Sequence, residues 1–295
     1  HLPNLNELAR KGVCGLLDPV MPGITPGSGP GHLALFGYDP IKDLVGRGVL
    51  EAVGVDVEVL PGDVAARGNF CTVDSKGIIT DRRAGRVPTE ESKELCALLN
   101  KIKVPGVQTS VYPVRDHRFA VLFRGAGLSE RMTETDPQRV GVAPLEVRPL
   151  APEAAHTAKL VNLFIASAKE ALAGREYANM ITLRGFSEHP KLAPLSQSYK
   201  LKPAAIAIYP MYRGLARLAG MEVLDAGSSF SQEIDALGKH FGEYDFFFLH
   251  YKNADAAGED GDFARKAKAL EEVDAHIPRI LALEPDVFVV TGDHS

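Results

Sequence analysis

Three short stretches of the chain combine side chains that could do chemistry. The first is Thr25-Pro26-Gly27-Ser28-Gly29-Pro30-Gly31-His32, where three glycines and two prolines surround one small hydroxyl. Glycine lets a backbone approach a ligand closely, and a helix start offers N–H groups to a phosphate. Ser28 therefore reads either as a nucleophile that could carry a phosphoryl group or as the cap of the helix that follows. The second stretch runs from His250 through Lys252, Asp255, Glu259 and Asp260 to Asp262. Hard oxygen donors such as Asp255 and Glu259 suit a divalent cation, whereas Asp260 or Asp262 could simply cap the next helix. The third, Thr291-Gly292-Asp293-His294-Ser295, places an Asp-His pair behind an apolar run, which fits a metal site or a catalytic pair.

The middle of the chain is rich in guanidinium groups: Arg67-Gly68-Asn69-Phe70, then Asp81-Arg82-Arg83-Ala84-Gly85-Arg86, then Arg115-Asp116-His117-Arg118. Arginine makes bidentate contacts to phosphate and to carboxylate, groups that a small phosphorylated acid presents together. Arg67, Asn69, Asp81, Arg82, Arg86, His117 and Arg118 are the candidate substrate-binding residues, with surface ion pairing as the alternative for any one of them.

Elements must position these groups. A helix over Leu5 to Lys11, a short strand over Val13 to Leu17, a Pro/Gly-rich loop over Pro19 to Gly31 and an apolar helix over His32 to Phe36 are expected at the start. Short strands then alternate with helices, including strands at Val55 to Leu60 and Phe119 to Arg124 and helices at Thr89 to Lys101 and Ala155 to Ala173. After Pro194 come strands that are apolar throughout, each followed by a helix: strands at Ala204 to Tyr209, Tyr244 to His250 and Asp286 to Thr291, helices at Tyr212 to Ala219 and Phe263 to Leu283. That pattern predicts an α/β fold with a sheet covered on both faces. Residues 1–40 and 195–295 are expected to form one core domain, interrupted by a smaller α/β domain over 41–194. Ligands of open α/β sheets bind at the C-terminal ends of strands, where the second and third stretches lie.

Composition narrows the function classes. The net charge of −5 conceals twelve Lys and Arg against eight Asp and Glu over Leu60 to Arg131, and six against sixteen over Met221 to Ser295. A basic middle suits an anionic ligand and an acidic end suits cations. Basic residues are not interleaved with aromatics, so no nucleic-acid partner is expected. No apolar run approaches the roughly 20 residues of a membrane span. Cys14, Cys71 and Cys96 are too scattered for a disulfide framework or a zinc knuckle, which points to a reducing, cytoplasmic setting.

Taken together, the Ser28 loop with Phe36-Gly37-Tyr38-Asp39-Pro40, the Asp81 to Arg86 run, Tyr212-Arg213-Gly214, Ala219-Gly220-Met221, Asp255 to Asp262 and Thr291 to Ser295 resemble the archaeal-type cofactor-independent phosphoglycerate mutases. The resemblance covers essentially the whole chain. It implies an alkaline-phosphatase-like doubly wound sheet with helices on both faces, and an inserted domain that holds the sugar acid. It also implies two divalent metal ions (Mn, Mg, Co or Zn), no 2,3-bisphosphoglycerate, and interconversion of 3- and 2-phosphoglycerate through a phosphoserine at Ser28. By residue match, Ser28, Asp255, Asp293 and His294 become metal ligands, and Glu259 stands where many relatives have histidine. The early Asp-Gly pair and the late histidine of the family pattern lie outside these 295 residues, so a longer gene product is implied. Water would have to be excluded during the phosphoserine stage, with domain closure about Tyr38 to Asp43 and Ala193 to Pro203 as the expected means. A phosphomonoesterase, a homoserine-kinase-like paralogue or a binding protein that has lost its metals are the alternatives, and a homo-oligomer is compatible with the sequence.

Overall fold

The computed structural model describes residues 1–24 and 26–294. Thr25 and Ser295, both part of the motifs above, lie outside the described residues. The chain forms two compact units, one of residues 1–43 with 192–295 and the other of residues 44–191.

In the 44–191 unit, alternation of apolar and polar residues builds an antiparallel sheet. Strands β1 (Val64–Val73), β2 (Ile79–Asp81), β3 (Gln108–Arg115), β4 (Arg118–Arg124) and β5 (Met180–Glu188) are ordered β2-β1-β4-β3, with β5 on the other edge of β1. Because side chains alternate faces, Phe70, Phe119, Val121, Phe123, Ile181 and Leu183 point one way. They form the core with Leu95 and Leu99 of α4 (Thr89–Leu99) and Val161 and Phe164 of α5 (Ala155–Ala171). The opposite face is covered in part by α3 (Arg47–Val53), whose Gly48 sits against the Ala65 backbone. Arg67, Asn69, Arg118 and Arg184 share this second face.

In the unit of residues 1–43 and 192–295, β6 (Pro203–Ala207), β7 (Glu222–Val223) and β8 (Phe246–His250) form a parallel sheet in the order β7-β6-β8. Ala205, Phe246 and Phe248 pack toward Phe36 of α2 (Ser28–Leu35) and its end, and toward Ala216 and Ala219 of α7 (Pro210–Leu218) and its end. Ala204, Ile206, Phe247 and Leu249 pack toward Ile234 and Leu237 of α8 (Phe230–His240) and Ile280 of α10 (Phe263–Leu281). The α/β expectation is met, with apolar groups on both faces of this sheet. Helix α1 (Pro3–Lys11) docks on α10 through the buried Asp274, whose carboxylate accepts the Leu5 N–H at 2.7 Å and the Asn4 amide at 2.9 Å.

Three expected strands do not form. Over Val55 to Leu60 the chain turns back after α3, with the N–H groups of Val55 and Val57 bonded to the Ala52 carbonyl. Those donors are thereby withdrawn from any sheet. Val13 to Leu17 and Asp286 to Thr291 are extended or irregular, with Val13, Leu16, Val287 and Val289 exposed. A strand requires a ladder partner, and none lies beside either segment among the described residues.

Glu233 of α8 is 1% exposed and accepts the N–H of Ile208 at 3.1 Å. Burial, opposed by that N–H and reinforced by the charge of Glu272, pushes its carboxyl up from 4.5 to about 8. The folded protein then holds a proton that the unfolded chain releases. Stability is therefore expected to fall as pH rises through that window, by up to about 1.4 kcal/mol per pH unit. Melting temperatures at pH 5, 6.5 and 8 check this: Glu233→Gln should flatten the decline and be the more stable form at pH 8.

Candidate active site

The Ser28 loop ends by starting α2. Gly27 is the N-cap and supplies no side-chain bond, so Ser28 is the first helical residue rather than the cap. Pro30 has no N–H, and Gly31 N–H already bonds the Gly27 carbonyl at 3.0 Å. The N–H groups of Ser28 and Gly29 remain at an open first turn, the arrangement that favours an anion. One turn on, the buried His32 fixes this start by its Nδ1 contact of 2.8 Å to the Ser28 carbonyl. Burial lowers the pKa of His32, an effect that the Ser28 carbonyl and Asp293 only partly offset.

Asp293 and His294 reach the same place from the chain's last stretch. Asp293 Oδ2 lies 3.4 Å from His32 Nδ1 and 3.6 Å from His294 Nε2, and the latter nitrogen is 3.6 Å from Asp255 Oδ1. Asp255 belongs to α9 (Asn253–Glu259), directly after β8. Its other oxygen bonds Lys252 Nζ. Burial works against the charge of Lys252, and the bond to Asp255 outweighs it, leaving the ammonium above its ordinary pKa. Glu259, one turn beyond Asp255, is exposed, and its charge adds to the raising of the Lys252 pKa. The cap of α10 is Asp262, which accepts the Arg265 N–H at 2.9 Å, so that part of the acidic loop has a purely structural role.

Close approach of α2 to Asp293 depends on Gly31, where a Cβ would stand 2.6 Å from the Asp293 carbonyl oxygen. Gly31→Ala is expected to displace Asp293 and cost about 1–3 kcal/mol, read by thermal melting.

Tyr212 and His250, which stand in the sequence motifs but not among the candidate site residues, pack around His32, whose ring holds the Ser28 carbonyl. Tyr212 is 1% exposed and stacks on His250 at 3.5 Å between centroids, and burial raises its phenol above the ordinary pKa, with Ser28 acting in the opposite sense. Burial, reinforced by the neighbouring His32 and Lys252, drops the His250 pKa to about 3, so it is neutral.

The candidate substrate residues lie in the 44–191 unit. Arg67 sits opposite Arg184 of β5, and Asn69 opposite Arg118 of β4, in direct register. Arg67 Nε, Arg184 Nε, Asn69 Oδ1 and His117 Nδ1 are all buried without a hydrogen-bond partner. Burial lowers the Arg67 pKa, Glu51 opposes, and Arg118, Arg184 and Arg47 add to the lowering. His117 is pushed down to about 4, first by burial and then by Arg118 and Arg83. Such a concentration of positive charge and unused polar atoms suits an oxyanion. Asp81 instead bonds the N–H groups of Arg83 and Gly85, and Arg82 is held in a two-point ion pair by Asp136 at 3.2 and 2.9 Å. Arg86 is exposed. Arg184, missed in the sequence, betrays itself only as a charge among the apolar residues of β5.

A family model described as 2,3-bisphosphoglycerate-independent phosphoglycerate mutase matches residues 9–178. A probable 2,3-bisphosphoglycerate-independent phosphoglycerate mutase of Thermosipho africanus is 49% identical over 297 residues, spanning 100% of this chain and 74% of the relative. The chain belongs to the 2,3-bisphosphoglycerate-independent phosphoglycerate mutase family. A probable mutase of the same description from Thermus thermophilus is 48% identical over 99% of this chain and 73% of its own length. A solved cofactor-independent phosphoglycerate mutase from Thermoplasma acidophilum superposes with a TM-score of 0.75 at 28% identity, over 96% of this chain and 76% of that one. The family resemblance read from the motifs thus holds, and the family is by its description independent of 2,3-bisphosphoglycerate.

The atoms around Asp293 decide whether a divalent ion fits there. Asp293 Oδ2 is buried and lacks a hydrogen-bond partner although two imidazole nitrogens face it. A carboxylate oxygen left in this state among oxygen and nitrogen donors is matched to a cation. Among the described residues no three His, Cys, Asp or Glu side chains close into a complete ligand set. The residues present therefore fit part of a metal site. Among the described residues, no helix is long and apolar enough to cross a membrane.

Proposed function

We propose that this chain interconverts 3-phosphoglycerate and 2-phosphoglycerate, with Ser28 carrying the phosphoryl group between the two positions. The observation that carries the reading is the uncapped start of α2 at Ser28, joined through the His32 ring, 2.8 Å from the Ser28 carbonyl and 3.4 Å from Asp293 Oδ2, to a buried carboxylate oxygen without a hydrogen-bond partner. Ser28, Asp255, Asp293 and His294 would hold the divalent ions, with Glu259 as a further oxygen donor within one helical turn of Asp255. When bound, such ions supply Lewis acidity at the phosphoryl oxygens and ease ionisation of the serine.

The chain's own groups do the rest. The Ser28 and Gly29 N–H groups receive a phosphoryl oxygen. Ser28 Oγ bonds to phosphorus as the bond from phosphorus to the 3-oxygen breaks, and the proton lost by serine is regained on that oxygen, giving phosphoserine and glycerate. The 2-hydroxyl then takes the group back and returns the proton to Ser28. Arg67, Arg118 and Arg184 suit the carboxylate of the sugar acid, with Asn69 and His117 for its hydroxyls, while Asp81 and Arg82 shape the loop that carries Arg86. An alkaline-phosphatase-like core over 1–40 and 195–295 and a substrate-binding domain over 41–194 accord with this division of labour, as does a cytoplasmic setting.

The test is conversion of 3-phosphoglycerate by full-length protein supplied with Mn or Mg, without 2,3-bisphosphoglycerate, followed by phosphorus NMR. Formation of 2-phosphoglycerate is the expected result. Release of inorganic phosphate alone would move the assignment to a phosphomonoesterase, and turnover only with ATP and an alcohol acceptor would move it to a kinase.

A further inference from the structure

Arg184 carries a guanidinium whose Nε is buried without a hydrogen-bond partner, and the chain around it is built to hold it in that state. It stands opposite Arg67, directly before an irregularity in the pairing of β5 with β1 where Gly185 adopts a left-handed φ of 62°. Irregularities of this kind bend a strand and re-aim its side chains. Residues 134–136 grip the same stretch of β5. Thr135 exchanges two bonds with the Leu183 backbone, at 2.9 and 2.6 Å, and Glu134 accepts the Gly185 N–H at 2.8 Å. The next residue, Asp136, is thereby delivered to Arg184.

Asp136 is buried and divides its carboxylate unequally. Arg82 takes both oxygens, at 3.2 and 2.9 Å, and the Gln138 N–H adds a bond of 2.8 Å to Oδ1. Arg184 Nη1 stands 3.9 Å from Oδ2, too far for a hydrogen bond. Burial works to raise the Asp136 pKa, but Arg82, the Gln138 N–H and Arg184 together take it below its ordinary value, so the group is a fixed negative charge. Its attraction offsets the burial of Arg184 and the repulsion from Arg67 without spending a donor on the pair. Arg67 is treated alike, with its Nε 3.9 Å from Glu51 Oε1.

We propose that Asp136 is a positioning residue for anion binding: it holds Arg184 beside Arg67 with donors unspent, so that the two guanidinium groups close on the carboxylate of a phosphorylated sugar acid. The inference rests on the reading of Arg67 and Arg184 as the groups that receive that carboxylate. Through its bonds to Arg82 the same carboxylate ties Arg184 to the loop of residues 81–86. A carboxylate that served only to bury Arg82 would have no effect transmitted by Arg184.

The experiment uses full-length protein supplied with Mn, in a Ser28→Ala background so that bound 3-phosphoglycerate is not turned over. Equilibrium dialysis of the labelled compound gives its dissociation constant. Asp136→Asn is expected to weaken binding about five- to twentyfold and Arg184→Lys about tenfold. The double variant should lie within about twofold of Arg184→Lys alone, because Asp136 acts through that guanidinium. Unchanged binding in Asp136→Asn, or losses that multiply in the double variant, would overturn the proposal. Asp136→Asn also strands Arg82, so Arg82→Met with and without Asp136→Asn repeats the comparison where that partner is already gone, and the same loss is expected.

With Ser28 intact, Asp136→Asn should raise KM for phosphoglycerate conversion by the same factor and keep kcat within about threefold. A loss confined to kcat would count against the proposal as decisively as unchanged binding. Should the protein bind 3-phosphoglycerate without converting it when Ser28 is intact, the mutase reading falls, and the dialysis comparison still decides the role of Asp136. A Ser28→Ala protein that does not bind 3-phosphoglycerate overturns the proposal.

Discussion

Replacing Ser28 with alanine is expected to lower phosphoglycerate conversion by at least about a thousandfold, because it removes the atom that accepts the phosphoryl group. Ser28 is not the cap of α2 and is only partly buried, so its loss should leave the fold intact. The substitution raises helix propensity slightly at the first turn of α2, so the melting temperature should stay within a few degrees of the parent. Mass spectrometry of protein quenched during turnover provides the companion measurement: a phosphoryl group on the peptide containing Ser28 in the parent and none in the variant. An alanine variant with more than a tenth of parental activity would show that the phosphoryl group travels by another route.

The second large effect is expected at Asp293. Asp293→Asn preserves size but removes the charge of a carboxylate whose Oδ2 is buried, unpartnered and faced by His32 and His294. Activity should fall by at least about a hundredfold, and the divalent ion retained after dialysis should drop below that of the parent. Stability should respond in opposite senses with and without metal. An unpaired buried carboxylate costs free energy, so the metal-free variant should be as stable as the parent or more so. With metal supplied, the parent gains the binding free energy and the variant does not. Thermal melts with chelator and with Mn separate the two. A variant that binds metal and melts like the parent under both conditions would remove Asp293 from the ligand set.

Much of the molecule could be read from local pattern. The loop around Ser28 announces itself because glycine and proline restrict what the backbone can do within a few residues, and helices α4, α5 and α10 follow from apolar periodicity. Long motifs were enough to name the family. What the linear pattern could not supply was register. Arg184 joins Arg67 only because β5 pairs with β1 so that these two residues stand opposite each other, and a slip of one residue would send Arg184 into the apolar core.

The amino-acid sequence by itself determined the α/β class, the glycine- and proline-rich loop that leads through Ser28 into a helix, although that helix starts at Ser28 rather than at His32, and the delivery of Asp255 to the end of an apolar strand, since each depends on neighbours close along the chain. Only the tertiary structure decided that Tyr212 and His250, 38 positions apart in numbering, stack beside His32, and that Arg82 is engaged by Asp136. It also decided that Val13 to Leu17 and Asp286 to Thr291, apolar enough to be strands, are not. The reason is common to all of these: propensity sets what a segment can become, whereas contacts and hydrogen bonds to residues distant in sequence set what it does become.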